Sequence, residues 1–163
     1  MKTEHVLLGV AVGVWAVLAD GAAAGEQTNF CGQKIEATAT KVTCGDPNLE
    51  DLTPLRGLGD LEELDIQGTK VSDLGPLFGI KSKFKKLILD RTNVADLEPL
   101  LMAPKLEFLS LVDSKVVNMT QITYLTNLKE LWLSRKMVDD GQIDKKELEE
   151  LKKYLPKTKI TLK

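Results

Sequence analysis

Apolar positions fall into one phrase, Leu61, Leu64, Ile66, Val71, Leu74 and Leu77, which returns as Phe84, Leu87, Leu89, Val94, Leu97 and Leu100. It returns again as Leu106, Leu109, Leu111, Val116, Met119 and Ile122, and a fourth copy opens with Leu128, Leu131, Leu133 and Val138. The copies are spaced 23, 22 and 22 residues apart, and a partial first copy fits upstream as Val42, Cys44, Leu49, Leu52 and Leu55. Self-similarity at this period is the signature of a stacked array of supersecondary units. The Leu-x-Leu pair alternates with period two, so it predicts a short strand with both apolar side chains on the inner face. The Val-x-x-Leu-x-x-Leu that follows has period three, which suits a 3₁₀ turn, and Pro54, Pro76 and Pro99 inside that stretch discourage a long helix. Each unit has one apolar edge that only a neighbouring unit can bury, so the copies stack into one core behind a parallel sheet.

The phrase LEELDIQGTKVSDLGPL, beginning at Leu61, resembles the 22-residue repeat of bacterial, internalin-like leucine-rich-repeat proteins, and the resemblance runs from about Val42 to Val138. It implies an α/β solenoid with a parallel sheet on the concave face, 3₁₀ turns on the convex face, and protein recognition as the activity. Where many such repeats carry an asparagine ladder this chain has Pro47, Thr69, Thr92, Ser114 and Lys136. Thr and Ser can still hydrogen-bond the backbone, and Lys136 marks the end of the array.

The flanks read differently. Lys2 precedes an apolar run from Val6 to Ala19, and Ala22 and Ala24 place a cleavage site after Ala24, so residues 1–24 have a signal-peptide layout. The 14-residue run would span only roughly 21 Å as a helix, short of a bilayer core of about 30 Å. An exported product, periplasmic or secreted, is expected, with an N-terminal cap over 25–41, repeats over 42–138, and a C-terminal cap of helix and edge strand over 139–163. Asp144 with Glu147 three residues on has the pattern of a capping box, opening an amphipathic helix through Leu148, Leu151 and Leu155 that Pro156 stops; Lys159 to Leu162 follows as a last strand.

Composition narrows the chemistry. With the leader go His5, the one histidine, and Trp15, which removes Ser-His-Asp and Cys-His catalysis and histidine zinc sites. The remainder has 21 basic against 22 acidic residues, so no global charge favours nucleic acid or an anionic membrane. Cys31 and Cys44 remain, either as a disulfide, which an oxidising compartment favours, or as two buried thiols. The stretch Asp139 to Glu147 imitates the second half of an EF-hand, but counting back from Gly141 puts Lys136 and Val138 where two oxygen ligands belong, so a helix cap is the expectation and no metal or other cofactor is implied. Lys81, Lys83, Lys85 and Lys86 surround the core position Phe84 and read as a solvated edge. The sequon at Asn118 is expected to be idle.

Strand alternation directs a second set of residues outward: Glu63, Asp65 and Gln67; Lys86, Ile88 and Asp90; Phe108, Ser110 and Val112; Glu130, Trp132 and Ser134. Ile88, Phe108, Val112 and Trp132 form an apolar patch rimmed by Glu63, Asp65, Asp90 and Glu130, which is the composition of an interface. Asp65, Ile88, Asp90, Phe108, Val112 and Trp132 are therefore the candidate partner-binding residues. Competing explanations for the patch are coverage by the C-terminal helix or burial in a homodimer. Asp65 and Asp90 are the carboxylate pair available for acid-base chemistry, but an open sheet offers no deep pocket to tune them. The expected protein is a non-enzymatic binding module, monomeric or weakly dimeric, for a protein partner, without nucleic acid and without a membrane span after leader removal. An envelope inhibitor or immunity-type accessory protein and a structural subunit of an envelope complex are the alternatives.

Overall fold

The structure is a computed structural model that describes residues 27–80, 83–101 and 103–163. The expected leader and Lys81 lie outside the described residues. Among those residues, a six-stranded parallel sheet runs in chain order: β3 (Lys41–Thr43), β4 (Glu63–Asp65), β5 (Lys86–Ile88), β6 (Phe108–Ser110), β7 (Glu130–Leu133) and β8 (Lys159–Leu162). The strands are in register, so Val42, Leu64, Leu87, Leu109, Leu131 and Ile160 form one row across the sheet. All of that row but Ile160 is buried. Cys44, Ile66, Leu89, Leu111 and Leu133 form a second buried row two residues on. The period-two pattern thus becomes a strand with one face in the core and one in solvent.

The return path of each repeat is a 3₁₀ turn, at Thr53–Gly57, Gly75–Leu77, Glu98–Leu100 and Met119–Tyr124, with proline near the start of the first three. A device that the apolar pattern did not reveal opens each turn. The carboxylates of Asp51, Asp73 and Asp96 and the amide oxygen of Asn118 accept the backbone N–H two residues on, from Thr53, Gly75, Glu98 and Thr120, at 2.7 to 3.1 Å. This is the side-chain mimic of a turn that Asp and Asn favour. Asn118 of the sequon is occupied in this way. Thr69 and Thr92, at the ladder position, donate their hydroxyls to Ile66 and Leu89 within their own repeats, at 2.8 and 2.7 Å. The links between repeats are made by the backbone next to them: Lys70 to Leu49, Asn93 to Val71 and Lys115 to Val94, each N–H to carbonyl at 2.9 to 3.0 Å.

Four residues past the central strand leucine the chain enters the left-handed region, at Gly68 (φ 74°), Arg91 (φ 53°) and Asp113 (φ 55°). The turn demands this conformation, which only glycine adopts without steric cost. At the matching position of the fourth copy, Arg135 instead begins the helix α1 (Arg135–Asp139), where the Ser134 hydroxyl accepts from the Lys136 N–H. Here the repeat grammar stops.

At the first end, β1 (Gln27–Phe30) and β2 (Gln33–Glu36) form an antiparallel hairpin whose turn, Cys31 and Gly32, has positive φ at both positions. Such two-residue turns match strand twist. Phe30 is buried with the core cluster, and a disulfide joins Cys31 to Cys44, resolving the choice between bond and free thiols. At the other end α2 (Lys145–Tyr154) lays Leu148 and Leu151 on the core, opened by the capping box: Asp144 accepts from the Glu147 N–H at 2.7 Å and Glu147 from the Asp144 N–H at 2.9 Å. Gln142 ties this segment back, its amide donating to the carbonyls of Ser114 and Val116. Among the described residues no helix is long and apolar enough to cross a membrane.

Two stability measurements follow. A methyl group at Gly68 would meet no atom within 4 Å, so Gly68→Ala reports backbone strain alone and is expected to cost about 1 kcal/mol, whereas Arg91→Gly relieves it; urea unfolding midpoints should move in opposite directions. Reducing the Cys31–Cys44 bond, which closes a separation of 13 residues, should lower stability by roughly 3 kcal/mol in the chain-entropy model, read as a drop in Tm with added reductant.

Candidate functional site: the outer face of the sheet

The strand register lays the outward residues in rows. One row is Lys41, Glu63, Lys86, Phe108, Glu130 and Lys159; the next is Thr43, Asp65, Ile88, Ser110, Trp132 and Thr161. Phe108 and Trp132 sit diagonally across β6 and β7 and meet edge to face, with centroids 4.8 Å apart and planes at 77°. Such pairs are favoured by the ring quadrupoles. Both rings are only partly buried.

Two cations lie against this pair in addition to the expected acidic residues, of which Glu130 stands opposite Phe108 in the strand register. Lys86 places its ammonium 5.3 Å from the Phe108 centroid, and Lys163, just past β8, places its own 3.8 Å from the Trp132 centroid. Each cation lies in reach of the negative face of a ring. Helix α2 does not fold over Trp132; it packs against the 3₁₀ turn Met119–Tyr124, and the cover on Trp132 is Lys163. Of the expected rim, Glu63 is paired with Lys41 at 3.4 Å.

The other candidate residues divide by task. Ile88 lies in the same row as Trp132, one strand beyond Ser110, and is half-buried. Asp65 accepts from the Gln67 N–H at 3.1 Å and from its side-chain amide at 3.2 Å, so it shapes its own turn. Asp90 holds the next repeat: one of its oxygens accepts from the Ser110 hydroxyl at 2.5 Å and from the Val112 N–H at 2.9 Å. Val112, two residues past β6, is therefore placed by its backbone and is half-buried. Ser110 and Ser134, expected to face solvent, are buried: Ser110 stands between Ile88 and Trp132 in its row, and Ser134 caps α1. Asp65 and Asp90 are thus each engaged in separate local hydrogen bonds.

The sequence reading missed Lys163, whose approach to Trp132 depends on where β8 docks. It also missed the role of Asp90, which could have been found by aligning repeats: the carboxylate stands one repeat before a small hydroxyl residue and a free N–H. Of the basic run, Lys83 pairs with Asp60 at 3.1 Å and Lys85 with Glu62 at 2.7 Å at the lateral edge, while Lys86 lies over the Phe108 ring. Glu62 beside Lys85 raises that ammonium's pKa above its ordinary value.

Internalin C2 of Listeria monocytogenes matches with a TM-score of 0.54 at 24% identity, over 69% of this chain and 46% of its own. A leucine-rich-repeat protein of Leptospira interrogans matches with a TM-score of 0.59 at 25% identity, over 76% of this chain and 31% of its own. This chain thus spans less than half the length of either. A scan against models of protein families and a search of curated proteins each find no match.

The division of labour between the two aspartates is testable by denaturation. Asp90→Ala strips the buried Ser110 hydroxyl of its acceptor and should cost about 1 to 3 kcal/mol. Asp65→Ala disturbs only an exposed turn and should stay within about 0.5 kcal/mol of the native protein.

Proposed function

We propose, from the premise that this is a leucine-rich-repeat protein of the internalin-like fold, that it is an exported, non-enzymatic module that holds a protein partner against the concave face of its sheet. The observation that carries this reading is the Phe108–Trp132 pair, two interlocked rings on the outer face of the sheet, left partly open to solvent. Aromatic residues cost little conformational entropy to immobilise and dominate binding energy when a partner covers them. The rings stand on strands whose inner side chains are fully buried, so they are held rigidly before any partner arrives. Ile88 and Val112 extend the apolar surface, while Lys86 and Lys163 lie over its rings and Glu130 stands beside Phe108.

Export is supported by the leader-like first 24 residues and by the Cys31–Cys44 bond, which belongs in an oxidising compartment. A non-enzymatic role is supported by the engagement of Asp65 and Asp90 in structural hydrogen bonds.

The test is affinity capture from cell-envelope and secreted fractions with the native protein beside a Phe108→Ser, Trp132→Ala double variant verified by circular dichroism. The captured partner should bind the variant at least about thirtyfold more weakly, the equivalent of roughly 2 kcal/mol. Equal capture by both proteins would refute the concave face as the site. A native dimer that the double variant converts to monomer in sedimentation would instead assign the patch to self-association.

A further inference from the structure

We infer that the groove between the 3₁₀ turn Met119–Tyr124 and α2 binds an extended, cationic segment of another protein. This site lies on the turn side of the solenoid, away from the sheet, and does not depend on the concave-face reading.

The groove has a volume of about 380 Å³ and is lined by Met119, Thr120, Thr123, Tyr124, Glu147, Glu150, Leu151 and Tyr154. Met119 and Leu151 are buried, and they form an apolar floor where the helix meets the turn. The walls are tyrosine. The sequence has only two tyrosines, and both line this groove, 58% and 61% exposed. They are two of the four large hydrophobic residues left exposed among the described residues. Two amphipathic rings facing one open groove supply apolar contact and a hydroxyl at each wall, the combination found where a partner is bound.

Charge selects the occupant. None of the described lysines and arginines lines the groove; its two ionic groups are Glu147 and Glu150. Glu147 is fixed in place by the capping box, which leaves its charge at the groove edge. Glu150 follows three residues later, on the same helix face. An arginine or lysine can lay its stem on a tyrosine ring, present its cation to the ring face, and reach a carboxylate with its head. The open shape, with apolar floor and aromatic walls, suits an extended backbone, as in the aromatic-lined grooves that take proline-containing peptides.

The probe is a short arginine-proline repeat peptide, with a glutamate-proline peptide of equal length as its charge-reversed control, titrated into the full chain by calorimetry and nuclear magnetic resonance. The arginine peptide should bind, shift resonances of Tyr124 and Tyr154, and weaken as salt rises. Glu150→Gln and Tyr154→Ser, both at exposed positions that leave the core intact, should each weaken binding at least about fivefold. The Phe108→Ser, Trp132→Ala variant should bind the peptide as the native protein does, which separates this site from the concave face. The inference is overturned if the glutamate peptide binds as well as the arginine peptide, if neither binds, or if both groove variants retain native affinity.

Discussion

A repeat with a single apolar edge has no interior of its own, and everything in this structure follows from that. Leu64 is buried only because Val42 lies on one side of it and Leu87 on the other, and the same dependence passes along the row to Leu131. Backbone hydrogen bonds of the parallel sheet hold the strands at one spacing. The links from Lys70, Asn93 and Lys115 to the preceding repeat hold the start of each return path at the same spacing. Two ladders on either side of a continuous core make the array stiff, and a stiff array can hold side chains at fixed separations on its outer surface.

The end segments are where this dependence becomes a problem, because the first and last rows have a neighbour on one side only. The hairpin brings Phe30 to the core, and the disulfide anchors its turn to Cys44, a member of the second buried row. At the far end β8 continues the sheet while α2 brings Leu148 and Leu151 against the side where a further turn would lie. The aromatic pair and the tyrosine groove both occur at this second end, on opposite sides of the core. The pair stands on repeat strands, but Lys163 reaches Trp132 because a short strand replaces a full repeat, and the groove forms where a helix meets a 3₁₀ turn.

The strand positions, the inward rows, the turn character and the helix with its capping box were legible in the sequence because each is set by local periodicity or by a pair three residues apart. The cysteine pair was visible as a pair, but its bonding required the hairpin turn to bring Cys31 beside Cys44. The candidate site was legible to the level of which residues face outward. The burial of Ser110 and the commitment of Asp90 were not, because they depend on how a strand sits between two neighbours rather than on its own alternation. The left-handed residues at Arg91 and Asp113 were hidden for a related reason: of the three copies that adopt this conformation only the one opening at Leu61 has a glycine there, and the next two bear the strain because the stacked turns impose it.

The lateral edge has a consequence for how such an array could grow. Corresponding positions in successive repeats read Glu62, Lys85, Glu107 and Lys129, and two neighbouring pairs in that series close as ion pairs, Glu62 with Lys85 and Glu107 with Lys129. Individually such exposed pairs are worth little, but their sign alternates with every copy. Excising the Lys85 repeat alone would set Glu62 against Glu107, whereas excising it together with its neighbour would join Glu62 to Lys129 and keep opposites adjacent. The coding unit of this edge is therefore two repeats long, and lengthening or shortening of the gene in double steps would preserve a charge order that single steps destroy.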